Sequence, residues 1–163
     1  MKKAQIQSQV FVYILALLIM TFILIYGYNS LTSIKDKGDL ASTINFKSDI
    51  KMAISSISSD YGSIKVEEIS VPTGYREVCF VDLSTNAVPA FPEEYGLIQN
   101  YVDDVINNNA EPRNVFLYPE GIESVYVGEI EVEDDFLCVD VSYGKIKIKL
   151  EGFGNRAKVY ALN

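Results

Sequence analysis

The chain has 163 residues, with 14 Lys and Arg against 22 Asp and Glu, a formal net charge of −8 at pH 7, and neither His nor Trp. Without His there is no His-dependent nucleophilic triad, no His-containing zinc site and no haem held by His. All 22 acids follow residue 35 together with 12 of the basic residues, which leaves −10 on everything beyond residue 34. Such a surface repels nucleic acid and anionic headgroups, so no nucleic-acid partner is expected.

Residues 4 to 34 carry no charged side chain, and from Val10 to Tyr28 nearly every residue is apolar. At ~1.5 Å of rise per residue this run spans roughly 28 Å, close to the ~30 Å hydrocarbon core of a bilayer. It predicts a transmembrane helix from about Gln5 to Ile34, with membrane lipid as its partner. A secretory signal peptide would have a shorter apolar stretch and a small-residue cleavage site. Here Gly27-Tyr28-Asn29-Ser30-Leu31 follows and supplies no such site. A core helix of a soluble protein would show a polar face, and this run is apolar all round. Lys2 and Lys3 precede the span without an acid nearby, whereas Lys35 and Lys37 alternate with Asp36 and Asp39 after it. That bias places the N-terminus in the cytoplasm and the C-terminal domain outside it. Tyr26 and Tyr28 suit the outer interface.

Residues 35–62 read as an amphipathic stem helix. Asp39 can cap a new start after Gly38, and Phe46, Ile50, Ala53, Ile54, Ile57 and Tyr61 draw one helical stripe. The stripe either packs on the domain beyond it or belongs to a stem that meets neighbouring copies. Gly62 stands at a C-terminal cap position.

From residue 63 the pattern turns to strands. Ile64 to Val71 and Arg76 to Leu83 are the first two. A short helix beginning at Pro92 interrupts them, with Tyr95, Ile98, Tyr101, Val102, Val105 and Ile106 as its apolar face and Asn107-Asn108-Asn109 as its end. Asn114 to Tyr118 is the next strand, Pro119-Glu120-Gly121 a turn, and Val125 to Glu133 one alternating strand. Phe136 to Ser142 and Lys145 to Glu151, joined by Tyr143-Gly144, read as a hairpin. The lysines at 145, 147 and 149 face away from Ile146, Ile148 and Leu150 and can protect an exposed edge. Lys158 to Leu162 is the last strand. The expected fold is α+β: a long N-terminal transmembrane and stem helix (1–34 and 35–62), then an antiparallel β-sheet or β-sandwich domain with one short inserted helix (63–163).

Cys79 and Cys138 each sit inside a strand-like run. Outside the cytoplasm they can form a disulfide closing a loop of about 60 residues, worth roughly 4 kcal/mol in the chain-entropy model. Buried as thiols they would act as small apolar residues. Glu93-Glu94, Asp103-Asp104 and Asp134-Asp135 are acidic pairs without evident convergence, and Glu131-x-Glu133-Asp134-Asp135 lacks the spacing of a calcium loop. Ser55, Ser56, Ser58 and Ser59 lie on a helix without a base to activate them. Gly152-x-Gly154 opens no helix and is no phosphate loop. The sequence thus predicts no catalytic residue, no metal site, no cofactor and no small-molecule substrate.

The head of the chain, Lys2-Lys3-Ala4-Gln5 followed directly by the apolar run, resembles the class III signal of archaeal type IV pilin-like proteins. That resemblance implies a cut on the cytoplasmic side between Ala4 and Gln5, with Lys3 as the basic position, and a helix that stays on the mature chain. The family often has Glu at the fifth mature residue and Ser at the third; here these are Gln9 and Gln7. Val78-Cys79-Phe80-Val81-Asp82-Leu83, Asn114-Val115-Phe116-Leu117 and Lys145 to Gly152 also resemble a group of archaeal single-span proteins with no known activity. The function implied is that of a non-enzymatic, membrane-anchored, pilin-like surface protein that self-assembles through its N-terminal helix into an extracellular filament. The alternative is a monomeric tethered ectodomain, acting as a binding module or as an accessory subunit of a surface or secretion complex.

Overall fold

The computed structural model describes residues 3–85, 87–108, 110–119 and 123–162, except for the side chains of 3–9 and 29–37. The chain divides into two units, Met1–Ala41 and Ser42–Asn163. Helix α1 (Lys3–Ser58) begins in the first and ends in the second. It runs through Gly38 without the restart expected at Asp39. One interior glycine costs only about 1 kcal/mol relative to Ala, less than breaking a turn of helical hydrogen bonds.

The second unit holds eight strands: β1 (Ile64–Ser70), β2 (Glu77–Val81), β3 (Val115–Tyr118), β4 (Ser124–Val125), β5 (Ile130–Val132), β6 (Phe136–Asp140), β7 (Lys145–Gly152) and β8 (Ala157–Ala161). Helix α2 (Gly96–Asn108) follows a 3₁₀ turn at Glu93–Tyr95. The strands form two sheets, ordered β1-β7-β8-β5 and β4-β3-β2-β6. Every pairing is antiparallel except β5 with β8, which is parallel. The class is the expected one, α+β with an apolar N-terminal helix, an inserted helix and two antiparallel-rich sheets.

Two cores hold this unit together. In the first, Phe46, Ile50, Ala53, Ile54 and Ile57 of α1 pack with Val78, Phe80, Val115 and Leu117 from one sheet and Ile146, Ile148, Leu150 and Val159 from the other. The stripe of α1 therefore packs on the domain that follows it. Tyr61 is not part of it. The helix stops at Ser58, and Tyr61 is 82% exposed, edge-on to Phe153. The second core lies on the opposite face of β2 and β3: Cys79, Val81 and Phe116 meet Tyr95, Ile98 and Val102. The apolar face read for the inserted helix is thus the face that covers this sheet.

Three local expectations fail for long-range reasons. Residues 125–133 are not one strand, because β4 and β5 belong to different sheets. Buried Asn114 holds the break between them. Its side chain donates to the Gly128 carbonyl (2.7 Å) and accepts from the Val127 amide (3.1 Å), and Gly128 takes a φ of 99°. Residues 136–151 do not form a hairpin beyond its turn. Ser142 and Lys145 exchange both backbone hydrogen bonds around Tyr143-Gly144, but β6 then pairs with β2 and β7 with β1 and β8. The Phe136–Asp140 arm is apolar enough to serve a different sheet from Lys145–Gly152. Lys145, Lys147 and Lys149 guard no edge either, since β7 is an inner strand. They lie on the outer face, where Lys145 and Lys147 pair with Glu68 and Lys149 sits over the Tyr160 ring. Of the expected turn at 119–121, residues 120 and 121 lie outside the described ones.

The end of α1 meets the end of β7 at Gly152. A Cβ there would lie 2.0 Å from the Ile57 carbonyl oxygen and 2.3 Å from that of Asp60, both backbone atoms. Gly152→Ala is expected to destabilise the protein by about 3 kcal/mol or more, because two elements must move apart. A chemical denaturation curve measures this. Gly154→Ala, whose Cβ would meet only the Tyr61 ring at 4.0 Å, separates backbone strain at a positive φ from the clash predicted at Gly152.

Candidate functional site

In the first unit the feature that calls for a function is the segment Val10–Tyr28. Its mean hydropathy is 2.6, and none of it is buried. It is long and apolar enough to cross a membrane. Large apolar side chains cover every side of the helix: Phe11 is 66% exposed, Leu17 65%, Met20 64% and Leu24 68%. The one aliphatic hydroxyl in the run is already satisfied, since Thr21 Oγ1 donates to the Leu17 carbonyl at 2.8 Å. Phe22 and Tyr26 stack one turn apart, at 6.3 Å between ring centroids. Twelve Leu, Ile, Val and Phe residues in the run together favour insertion by roughly 4 to 7 kcal/mol. The side chains of Ala4 and Gln5, which flank the expected cut, lie outside the described ones.

In the second unit the sequence-derived candidates are spread over the surface. Asp103 and Asp104 each accept from the Asn four residues on, Asn107 and Asn108, at 2.7 and 2.9 Å. Glu93 and Glu94 stand in the 3₁₀ turn before α2. Asp134 and Asp135 occupy the turn between β5 and β6, both at positive φ. Glu131, the first acid of that run, is held instead by Lys158 (3.0 Å) and Arg156 (3.3 Å). That bond raises the Lys158 pKa against the opposing effect of burial. Ser55, Ser56 and Ser58 donate to carbonyls three residues back, which ties their hydroxyls to the helix. No two of the acidic pairs are brought together.

Cys79 and Cys138 are brought together. They stand opposite one another in the β2–β6 register and are bonded as a disulfide, with Cα atoms 4.0 Å apart. Backbone bonds from Val141 to Arg76 and from Asp82 to Asp135 fix the alternation of that ladder. The alternation makes 79/138 a non-hydrogen-bonded pair, where opposing Cα atoms come closest. Next to the sulfurs lies Glu77, whose carboxylate accepts the Tyr95 hydroxyl at 2.6 Å. Sequence reasoning missed this bond, because it joins a strand to a turn 18 residues away with no local pattern. Burial first, and the Glu77 carboxylate second, push the Tyr95 phenol well above its ordinary value. Glu77, Cys79 and Cys138 are the one group of metal-type donors among the described residues. It does not suit a metal: sulfurs bonded to each other are not thiolates, and the carboxylate is already engaged.

Several open grooves mark the surface of this unit. One of about 280 Å³ is lined by Leu83, Val105, Asn114 and Tyr126, and one of about 790 Å³ by Asp140, Tyr143, Lys145 and Lys147. The lysines of the larger groove are spent on Glu68, whose pKa the bond from Lys145 lowers. No family model, curated protein or solved structure matches the chain.

An Arg at the centre of an inserted helix costs about 2.5–3.5 kcal/mol. Leu18→Arg should therefore lower the carbonate-resistant membrane fraction, and Ile14→Arg with Leu18→Arg should abolish it. A raised phenol pKa gives stability that is whole below pH ~10 and is lost as pH climbs through the folded value. Lys158 and Tyr160, both shifted upward, act in the same direction, so the wild type must be compared with Tyr95→Phe. That variant should lose about 1.5–3 kcal/mol at neutral pH, as a hydrogen bond to a charged group is removed. It should also show a shallower decline above pH 10 in denaturant titrations.

Proposed function

We propose that the chain is a non-enzymatic, single-pass surface protein of the pilin-like kind. Its N-terminus lies in the cytoplasm, its apolar helix in the membrane and its β-domain outside. Once freed from lipid, helices of several copies would bundle, and the β-domains would form the outside of a filament. The observation that carries this reading is the span from Val10 to Tyr28, apolar on every side and uncovered within its own chain. Water tolerates such a surface only when lipid or other copies cover it. The head Lys2-Lys3-Ala4-Gln5 supports processing between Ala4 and Gln5. The Cys79–Cys138 bond suits a domain on the oxidising side of the membrane.

Gln9 favours a second reading. At the fifth position after the expected cut it offers no carboxylate to the new N-terminus of a neighbour. A permanent, unpolymerised tether would need none. The domain would then act as a binding module or as an accessory subunit of a surface or secretion complex.

Mass spectrometry of the protein purified from its own membranes tests the first reading. Loss of Met1 to Ala4 is the expected result, and a chain that keeps Lys2 and Lys3 overturns the processing. Electron microscopy of the shed fraction then separates the two readings: filaments for the first, none for the second.

A further inference from the structure

Strand β1 is a seven-residue edge, where the other three edge strands have two, three and five residues. Among the described residues it pairs only with β7. The Gly152 amide donates to the Ser63 carbonyl and the Val71 amide to the Gly144 carbonyl. By the alternation of an antiparallel ladder, the odd residues 63–71 spend their backbone groups on β7. The N–H and C=O groups of Ile64, Val66, Glu68 and Ser70 therefore point out of the sheet, with no backbone partner among the described residues. The strand has no proline and no bulge. Its outer face shows Ile64 at 62% and Val66 at 58% exposure, and Met52 of α1, 63% exposed, lines the groove on the other face. Natural edges are blunted by proline, bulges, short length or charge, and of these β1 carries charge alone, Lys65, Glu67 and Glu68.

We infer that β1 is an interface for a second copy of this chain, joined by antiparallel β1–β1 pairing about a two-fold axis at Val66. Charge and overlap together select the occupant and the register, since two-folds at 64, 69 or 70 pair at most three residues of each β1. Outward backbone groups must meet, so even residues oppose even residues. A two-fold at residue 65 sets Lys65 on Lys65, one at 67 sets Glu67 on Glu67, and one at 68 sets Glu68 on Glu68; like charges directly opposite destabilise a pair of strands. A two-fold at Val66 sets Lys65 of each copy opposite Glu67 of the other. It also turns the Lys65–Glu67 ion pair within each strand into an alternating four-charge array. On the outer face, Ile64 and Val66 of one copy lie diagonal to Val66 and Ile64 of the other, so the exposed apolar side chains cover one another. The two β1-β7-β8-β5 sheets become one eight-stranded sheet. This pairing does not depend on how the N-terminus is processed.

Cross-linking of the full-length protein in lipid vesicles tests the register. Across the proposed axis Val66 faces its own copy as a hydrogen-bonded pair, with Cα atoms ~5.5 Å apart, which a disulfide can bridge. Ile64 would lie about 14 Å from its own copy and opposite Glu68. Under oxidant, Val66→Cys should give a covalent dimer and Ile64→Cys should not. A mixture of Ile64→Cys with Glu68→Cys chains should give the heterodimer. In the Val66→Cys background, Lys65→Glu should lower the dimer yield at least about tenfold, since two attractive pairs become two repulsive ones. The double exchange Lys65→Glu with Glu67→Lys should restore it. Absence of a Val66→Cys dimer, equal cross-linking of Ile64→Cys, or a double exchange that folds without restoring the dimer would each overturn the pairing. Should the charge variants fail to fold, the comparison of the three cysteine chains decides alone. The N-terminal mass plays no part in this result.

Discussion

Strand β2 must be buried on both faces, and the second unit is organised around that constraint. In Val78-Cys79-Phe80-Val81 alternate side chains point to opposite sides of the sheet, and all four are buried. Val78 and Phe80 need one apolar cover, Cys79 and Val81 another. The first is supplied by the inner face of the other sheet together with the last turns of α1, and the second by α2 and its preceding 3₁₀ turn. At about 25 cal/mol per Å² of apolar surface removed from water, neither cover is dispensable. The final part of α1 is therefore a core element of the β-domain. The disulfide ties β2 to β6 on the face that α2 covers, and constrains the unfolded chain over 59 residues of sequence.

The same helix meets two different solvation problems along its length. From Phe46 to Ile57 its apolar residues, Met52 excepted, form one buried stripe and its serines face water. From Val10 to Tyr28 no such division exists. Backbone groups in both stretches are satisfied within the helix, which is the condition for a chain segment to live in hydrocarbon. The change from one-sided to all-round apolarity is a statement about the medium each stretch requires. It carries more functional information than any side-chain cluster in the β-domain, where charged groups such as Lys158–Glu131 and Lys145–Glu68 are engaged in pairs.

What could be read from the sequence was what local periodicity encodes. The uniform run at 10–28, the stripe at 46–57, the face of α2 and the strands β1, β2, β3 and β8 all repeat within a few residues. The failures share a different cause. The break after Val125 depends on the side chain of Asn114, ten and more residues upstream, and no alternation in 125–133 betrays it. The turn at Tyr143-Gly144 is encoded locally, but which sheet each arm joins is decided by strands 55 to 87 residues away. Alternation at Ile64-Lys65-Val66-Glu67 announces a strand without saying which side faces the core, and the structure turns the aliphatic residues outward. Of the two site expectations, the cysteines are joined, a pairing the sequence left open beside buried thiols. The expected cut between Ala4 and Gln5 would depend on recognition by another protein and not on packing.

The outward turn of Ile64 and Val66 connects the two units in one further respect. A single strand-to-strand contact is small beside the ~1,600 Å² of a typical stable interface. In free solution, pairing through β1 would be weak. Molecules confined to a membrane by an apolar helix meet at a far higher effective concentration, and a weak contact then suffices. The charge pattern adds discrimination at little energetic cost, because Lys65, Glu67 and Glu68 penalise the registers centred on residues 65, 67 and 68. A net charge of −10 beyond residue 34 opposes close approach at long range, yet at physiological salt it is screened beyond about 8 Å. Pairing governed by short-range alternating charge on an otherwise acidic surface thus favours the matched edge and discourages indiscriminate association.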